Sequence, residues 1–306
     1  MKVGVFADGL WGLKFIKILN LDKNFFLDFV VLRKKFDNKI LQFCKNKKIK
    51  YFVFDNINKK KNIQIIKKFK SDIYVSMSYN QIFKNNFFKL IKKKLINCHA
   101  GALPYYRGRS PINWAIINGE KKIGITTHFV NLKIDNGDIL DQKFINIKNS
   151  DNFKTILKKC YIICPMQLYK VLKKIKNKSI KTIKQSSISK KGSYYFKRKE
   201  GDEVINFDNN YKDLNNFVRG LIFPSIGATF FYNQKSYKVM ESHFVKKIDN
   251  NKNLNGIILK VTKKKLNIKI SNSIIFFKGI FSKRNTLIQD LRKIFKKNSF
   301  LAGTNV

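Results

Sequence analysis

Leu95-Ile96-Asn97-Cys98-His99-Ala100-Gly101-Ala102-Leu103-Pro104 begins as an apolar run, ends in an amide and an imidazole, and turns at a proline. The run Leu95–Cys98 predicts a strand, and similar runs precede it at Lys2–Ala7, Phe29–Leu32, Tyr51–Phe54 and Ile73–Ser76. A helical pattern through Leu13, Ile16, Ile18 and Leu19 follows the first. Lysine-rich amphipathic stretches, notably Phe36–Lys45 and Ile63–Lys70, lie between the others. Short strands alternating with one-faced helices predict an α/β fold with a parallel sheet and right-handed crossovers. Ligands in such sheets sit beyond the carboxyl ends of the strands. His99 and the loop after it lie at one of those ends.

Gly4, Gly9 and Gly12 surround the first turn, but their spacing is not G-x-G-x-x-G. No acidic residue follows the second strand at the distance a dinucleotide site needs, so that site is excluded and tight packing explains the glycines. Beyond residue 150 the pattern changes. Asp151–Ile175 reads as helical, with Pro165 expected to kink or break it. Asn177–Gly192, rich in lysine and serine, reads as a linker. β segments follow at Ala228–Tyr232, Tyr237–Met240, Gly256–Thr262, Leu266–Ile270 and Ile274–Phe277, which predicts a small barrel or open sheet. The boundary is placed near 190, giving residues 1–190 and 191–306 as two domains.

A hydrophobic fraction of 44% over 306 residues is ample for a core. The 64 Lys and Arg against 19 Asp and Glu leave a net charge of +45, which invites a nucleic-acid or anionic-surface reading. The lysine runs, however, are spread along the whole chain, among Asn, Ile, Phe and Tyr, the residues of A/T-rich codons. The charge therefore assigns no function by itself. Cys44, Cys98, Cys160 and Cys164 are too scattered for a disulfide framework and read as buried thiols. No signal peptide and no apolar run long enough to span a membrane is visible, so a reducing cytoplasm is the expected compartment.

Asn97 and His99 acquire meaning with Asp135, which lies downstream in Ile134-Asp135-Asn136-Gly137-Asp138. Alone, His99 reads as a partly buried structural histidine and Asp135 as a turn residue. Together, an amide, an imidazole and a carboxylate can activate an amine and hold a developing oxyanion, which points to acyl transfer. Pro104 and Pro111 bracket a rigid basic loop, Tyr105-Tyr106-Arg107-Gly108-Arg109. Its arginines can fork onto phosphate oxygens, although the loop alone also reads as a solvated turn.

This combination resembles the formyltransferases that use 10-formyltetrahydrofolate. Asn97, His99, Leu103-Pro104 and Asp135 occupy the positions of that superfamily's N-x-H, L-P and later Asp-before-Gly pattern. The loop after Pro104, with Arg109 and Asn113-Trp114, is similar to the branch acting on nucleotide-linked amino sugars (UDP-aminoarabinose and dTDP-amino-sugar N-formyltransferases). The resemblance continues through Tyr195–Arg198, Asp202, Ile205–Phe207, Val218–Leu221, Pro224, Gly227-Ala228 and Ala302-Gly303. Asn136, Phe207 and Phe223–Ile226 depart from the usual pattern.

The resemblance implies a Rossmann-like catalytic domain followed by a smaller OB-like β domain. It implies Asn97, His99 and Asp135 as catalytic residues, no metal, and a folate-side loop at Ser78, Tyr79, Gln81 and Ile82. Arg109, Asn113 and Arg198 are implied on the nucleotide-sugar side, and His128 of the T-x-H stretch is either a supporting or a packing residue. A homodimer is compatible with all of this. The competing functions are methionyl-tRNA formyltransferase, in which the partner is a nucleic acid, and an inactive nucleic-acid-binding descendant, against which the intact residue set argues.

Overall fold

The computed structural model describes residues 1–33, 38–91, 94–248 and 254–303. The chain forms two compact units. One gathers Met1–Pro111, Ile123–Ile145 and Lys158–Tyr195, the other Ile112–Lys122, Asn146–Leu157 and Phe196–Val306.

The first unit is built from β1 (Lys2–Ala7), α1 (Gly9–Leu21), β2 (Phe26–Arg33), α2 (Asn38–Asn46), β3 (Tyr51–Phe54), α3 (Lys60–Lys67), β4 (Ile73–Met77), α4 (Asn85–Ile91) and β5 (Leu95–His99). All five predicted strands are present, and their pairings β1–β2, β1–β4, β2–β3 and β4–β5 are parallel. The sheet continues through β7 (Lys122–Phe129) and β8 (Ile139–Asn146) in the order β3-β2-β1-β4-β5-β7-β8. β7 runs antiparallel to β5, so the sheet is mixed rather than wholly parallel. Of the stretch Phe36–Lys45, residues 36 and 37 lie outside the described residues, as do Lys92 and Lys93. The remainder forms α2, whose Ile40 and Cys44 share one buried face four residues apart.

Phe6 of β1 packs within 5.2–5.9 Å, ring centre to ring centre, of Phe29, Tyr79, Phe83 and Phe87. Burying each such ring contributes about 1.5–3 kcal/mol. The helix α6 (Phe153–Lys176) runs through Pro165 without ending there, contrary to expectation. An interior proline costs roughly 3 kcal/mol, and complete burial of Cys160, Cys164, Leu168, Val171 and Leu172 offsets it.

Asn177–Gly192 is not a free linker. Ile183 bridges Ile139 of β8, and the short α7 (Gln185–Ile188) begins on a buried glutamine. The first unit extends to Tyr195, because β9 (Tyr194–Tyr195) pairs in parallel with β6 (Arg107–Gly108).

The second unit contains α5 (Pro111–Ile117), α8 (Tyr211–Leu221) and a five-stranded antiparallel sheet ordered β10-β11-β14-β13-β12. The strands are β10 (Ala228–Tyr232), β11 (Lys235–Lys247), β12 (Ile258–Val261), β13 (Leu266–Ile270) and β14 (Ser273–Ser282). All five predicted segments are strands, with β11 and β14 longer than the pattern suggested. Phe230, Phe277, Leu266, Ile268 and Phe295 form their core. The fold class is as predicted, a mixed α/β body with an antiparallel β body. Among the described residues no helix is long and apolar enough to cross a membrane.

Candidate active site

The pairing of β5 with β7 sets the site. Asn97 lies opposite His128 and His99 opposite Thr126. Directly opposed residues share a sheet face, so Asn97, His99, Thr126 and His128 form one polar patch at the carboxyl end of β5. Cys98 alternates to the other face, where its thiol lies 3.6 Å from the Cys164 carbonyl of α6. All four cysteines are free and buried. The Asn97 amide nitrogen lies 3.4 Å from His128 Nε2.

Asp135 enters from the turn after β7. Its Oδ2 lies 3.6 Å from His99 Nδ1 and its Oδ1 3.5 Å from His128 Nε2, so one carboxylate spans two imidazoles. All three side chains are largely buried, His128 almost completely at 1% exposure. Burial alone would push the Asp135 carboxyl up. The opposing charge of His99, the hydrogen bond and charge of His128, and the Gly108 N–H outweigh burial and hold it well below the usual carboxylate range. Asp135 is therefore an anion throughout the neutral range.

The loop after Pro104 completes the arrangement through its backbone. The Tyr106 carbonyl accepts from His99 Nε2 at 2.7 Å, and the Gly108 N–H donates to Asp135 Oδ2 at 2.9 Å. A carbonyl only accepts, so Nε2 carries a hydrogen and Nδ1 is the His99 nitrogen facing Asp135. His128 is oriented similarly, its Nδ1 donating to the Phe129 carbonyl at 2.8 Å. The loop is held by the β6–β9 ladder, by Ser193 Oγ accepting from the Tyr106 N–H at 2.9 Å, and by Tyr106 stacking on Tyr195 at 5.2 Å.

Asp135 adopts a left-handed conformation, φ 49°. Gly137 packs so closely on Phe129 that a Cβ there would overlap its carbonyl. The Gln185 amide donates to the Asp135 carbonyl at 2.9 Å and to the Gly137 carbonyl at 2.8 Å. The turn is thus held from both sides.

The remaining predicted residues fall as follows. Ser78, exposed and at φ 60°, directly follows β4. Tyr79 is buried, and its hydroxyl has no hydrogen-bond partner among the described residues. The Gln81 side chain accepts from Ile57 N–H and donates to the Phe54 and Asp55 carbonyls. Ile82 is exposed. Arg109 is exposed in the first unit, its backbone N–H donating to the Tyr195 carbonyl at 2.8 Å. In the second unit, Asn113 is buried and donates to the Gly220 carbonyl and Ser225 Oγ. Arg198 lies 5.0 Å above the Trp114 ring, and its Nη1 is buried with no hydrogen-bond partner among the described residues.

Gln185 is the residue that sequence reasoning missed, and His128, read as either supporting or packing, lies against Asp135 and Asn97. Reading the T-x-H stretch as a strand would have placed His128 opposite Asn97. Gln185 carried no signal, because its partners are backbone atoms of a distant turn. Among the described residues no cluster of three His, Cys, Asp or Glu side chains is placed to hold a metal.

Residues 29–164 match the family described as formyl transferase, and residues 197–296 match the formyl transferase C-terminal domain. The bifunctional polymyxin resistance protein ArnA of Wigglesworthia glossinidia brevipalpis is 34% identical over 231 residues, 72% of this chain and 34% of that protein. The methionyl-tRNA formyltransferase of Malacoplasma penetrans is 32% identical over 196 residues, 64% of this chain and 60% of that enzyme. The chain thus spans about a third and about three fifths of these curated relatives. An N-formyltransferase from Helicobacter canadensis, solved with folinic acid and dTDP-3-aminofucose, shares the fold. Its TM-score is 0.69 at 20% identity, over 90% of this chain and 98% of that one.

Proposed function

The chain belongs to the formyl transferase family, and on that footing we propose that it transfers a formyl group from 10-formyltetrahydrofolate to the amine of a nucleotide-linked amino sugar. One observation carries the reading: Asn97, His99 and Asp135 meet at the carboxyl end of β5, with an ionised carboxylate facing His99 Nδ1. The relatives support it, since ArnA shares a third of its residues with this chain over the matched region. The Helicobacter enzyme was solved with an amino-sugar nucleotide and a formyl-folate analogue.

The loop from Ser78 to Ile82 fits a folate. The Gln81 amide is committed to neighbouring carbonyls, which leaves the backbone of the loop to meet the ligand. Ser78, Tyr79, Gln81 and Ile82 would hold the pterin largely through that backbone. When bound, 10-formyltetrahydrofolate supplies the one-carbon unit. The residues of the chain do the rest. The Asn97 amide stabilises the oxygen on which negative charge develops, an effect of roughly 3–4 kcal/mol for one donor in comparable sites. Asp135 orients His99, its Oδ2 facing Nδ1. Asp135, held low, is a weak base, and the amine proton is assigned to Nδ1 of His99, whose Nε2 hydrogen is already donated to the Tyr106 carbonyl.

On the second unit, Arg198 is assigned to the diphosphate of the acceptor, with Asn113 shaping that side through Gly220 and Ser225; on the first, Arg109 is assigned to phosphate binding. The buried, unpartnered Arg198 Nη1 supports its assignment, because such a donor gains most from an anionic oxygen. Residues 1–190, with the Tyr194–Tyr195 ladder, are assigned to catalysis and the rest to the OB-like body. The four free thiols favour a reducing cytoplasm as the working compartment.

A second reading, methionyl-tRNA formyltransferase, is favoured by the 32% identical relative and the +45 charge. One assay separates the two. The enzyme is given 10-formyltetrahydrofolate with a panel of dTDP- and UDP-amino sugars and, in parallel, initiator methionyl-tRNA. Tetrahydrofolate release with sugars alone supports the proposal. Release with tRNA alone, with a steep salt dependence, refutes it.

A further inference from the structure

Gln185 has no chemistry to offer acyl transfer, yet it is one of the most committed side chains in the first unit. It is 4% exposed. Its Nε2 donates to the Asp135 and Gly137 carbonyls at 2.9 and 2.8 Å, and its Oε1 accepts from Arg107 Nε and Nη2 at 3.0 and 2.7 Å. One amide thus joins the turn that carries Asp135 to the loop residue between Tyr106 and Gly108.

We propose that Gln185 is a positioning residue that fixes the Asp135 turn and keeps the Arg107 guanidinium off the Asp135 carboxylate, leaving that carboxylate to His99 and His128. The inference rests on the catalytic role of Asp135 proposed above. Arg107 is the neighbour of Gly108, whose N–H already touches Asp135 Oδ2. Burial, the larger influence, lowers the guanidinium pKa, while the Asp135 charge opposes it, so the two groups already interact. An arginine prefers a carboxylate to an amide, since the carboxylate adds a full opposite charge and two oxygens that match the guanidinium fork. Among the described residues the Gln185 oxygen, anchored through its own nitrogen, is what holds the fork elsewhere. Released, Arg107 would occupy the oxygens that face Nδ1 of His99 and Nε2 of His128.

Two functions of one side chain can be separated by substitution. Gln185→Ala releases both turn and guanidinium. Adding Arg107→Ala removes the competitor but not the looseness of the turn. Gln185→Glu, an isostere that packs in the same space, keeps the fork on Arg107 but turns two donated hydrogen bonds into repulsion against the two carbonyls.

The test measures kcat and acceptor KM for these variants beside Asp135→Asn, with 15N chemical shifts of the His99 and His128 ring nitrogens. A misplacement near 1 Å costs on the order of 100-fold. Gln185→Ala is expected to lose about that factor in kcat with KM within threefold, and to shift the His99 Nδ1 signal. The double variant is expected to recover at least tenfold and to return the signal toward wild type. If Gln185→Ala does not fold, Gln185→Glu carries the test of the turn, with a fall in kcat expected that Arg107→Ala does not relieve. Wild-type kcat in the tested Gln185 variant, while Asp135→Asn is inactive, overturns this inference alone. A fall that Arg107→Ala leaves unrelieved in Gln185→Ala overturns the capture by Arg107. Full activity in Asp135→Asn instead overturns the catalytic reading beneath it.

Discussion

Replacing Gly101 by alanine tests how tightly the His99 imidazole is placed. The new methyl carbon would sit 2.5 Å from His99 Nε2, 2.7 Å from its Cδ2 and 2.7 Å from the Tyr106 carbonyl oxygen. It would stand beside the bond that fixes the ring, His99 Nε2 to Tyr106 O. Ordinary contact needs about 1 Å more, and the Tyr106 carbonyl is itself held in the loop, so the imidazole must move. Overpacking of this kind costs about 1–3 kcal/mol of stability. An imidazole displaced by that amount should lose on the order of 100-fold in kcat. The assay follows tetrahydrofolate release under saturating amino-sugar nucleotide, with thermal unfolding and circular dichroism showing that the variant is folded. Gly201→Ala is the control, because it strains the backbone at φ 97° yet meets nothing within 4 Å. It should lose stability but stay within twofold in kcat. A folded Gly101→Ala enzyme within threefold of wild type would refute the reasoning, since the ring would then tolerate a shift that the mechanism forbids.

Asn97→Ala should cost on the order of 100- to 1,000-fold in kcat, the loss of one oxyanion donor, read in the same assay with the fold checked by circular dichroism. Arg198→Ala should raise the Michaelis constant for the acceptor while leaving that for the folate unchanged, and an acceptor constant unchanged from wild type would remove Arg198 from the acceptor side. The folded carboxyl of Asp135 lies below its unfolded value near 3.9, so its contribution to stability is fully present above about pH 5 and is lost as pH falls through the folded value. Urea midpoints between pH 6 and pH 2 should therefore fall more steeply for the wild type than for Asp135→Asn, and parallel curves would contradict the depressed pKa.

The legibility of this chain follows from what each residue contacts. β1 through β5 were visible because they are apolar runs between amphipathic helices, a pattern that burial on both sheet faces imposes. β7 was hidden because Thr126, Thr127 and His128 are polar although nearly or wholly buried. Asn97, His99 and Asp135 were visible because chemistry needs those side chains in that order. The Tyr106 carbonyl and the Gly108 N–H were not, since any residue presents the same backbone groups. Asn177–Gly192 read as a linker because its composition is polar, yet Ile183 and Gln185 in it close on the edge strand and the catalytic turn.

The ladder between Arg107–Gly108 and Tyr194–Tyr195 has a consequence for synthesis of the protein. The strand that carries Asn97 and His99 leaves the ribosome nearly a hundred residues before the segment that pins the loop over them. At a translation rate of about 5–20 residues per second, a nascent chain spends several seconds with its acid–base residues made and their brace still unmade. The loop is thus completed late, and a chain interrupted just short of Tyr194 would carry Asn97, His99, His128 and Asp135 without the ladder that helps pin the loop over them.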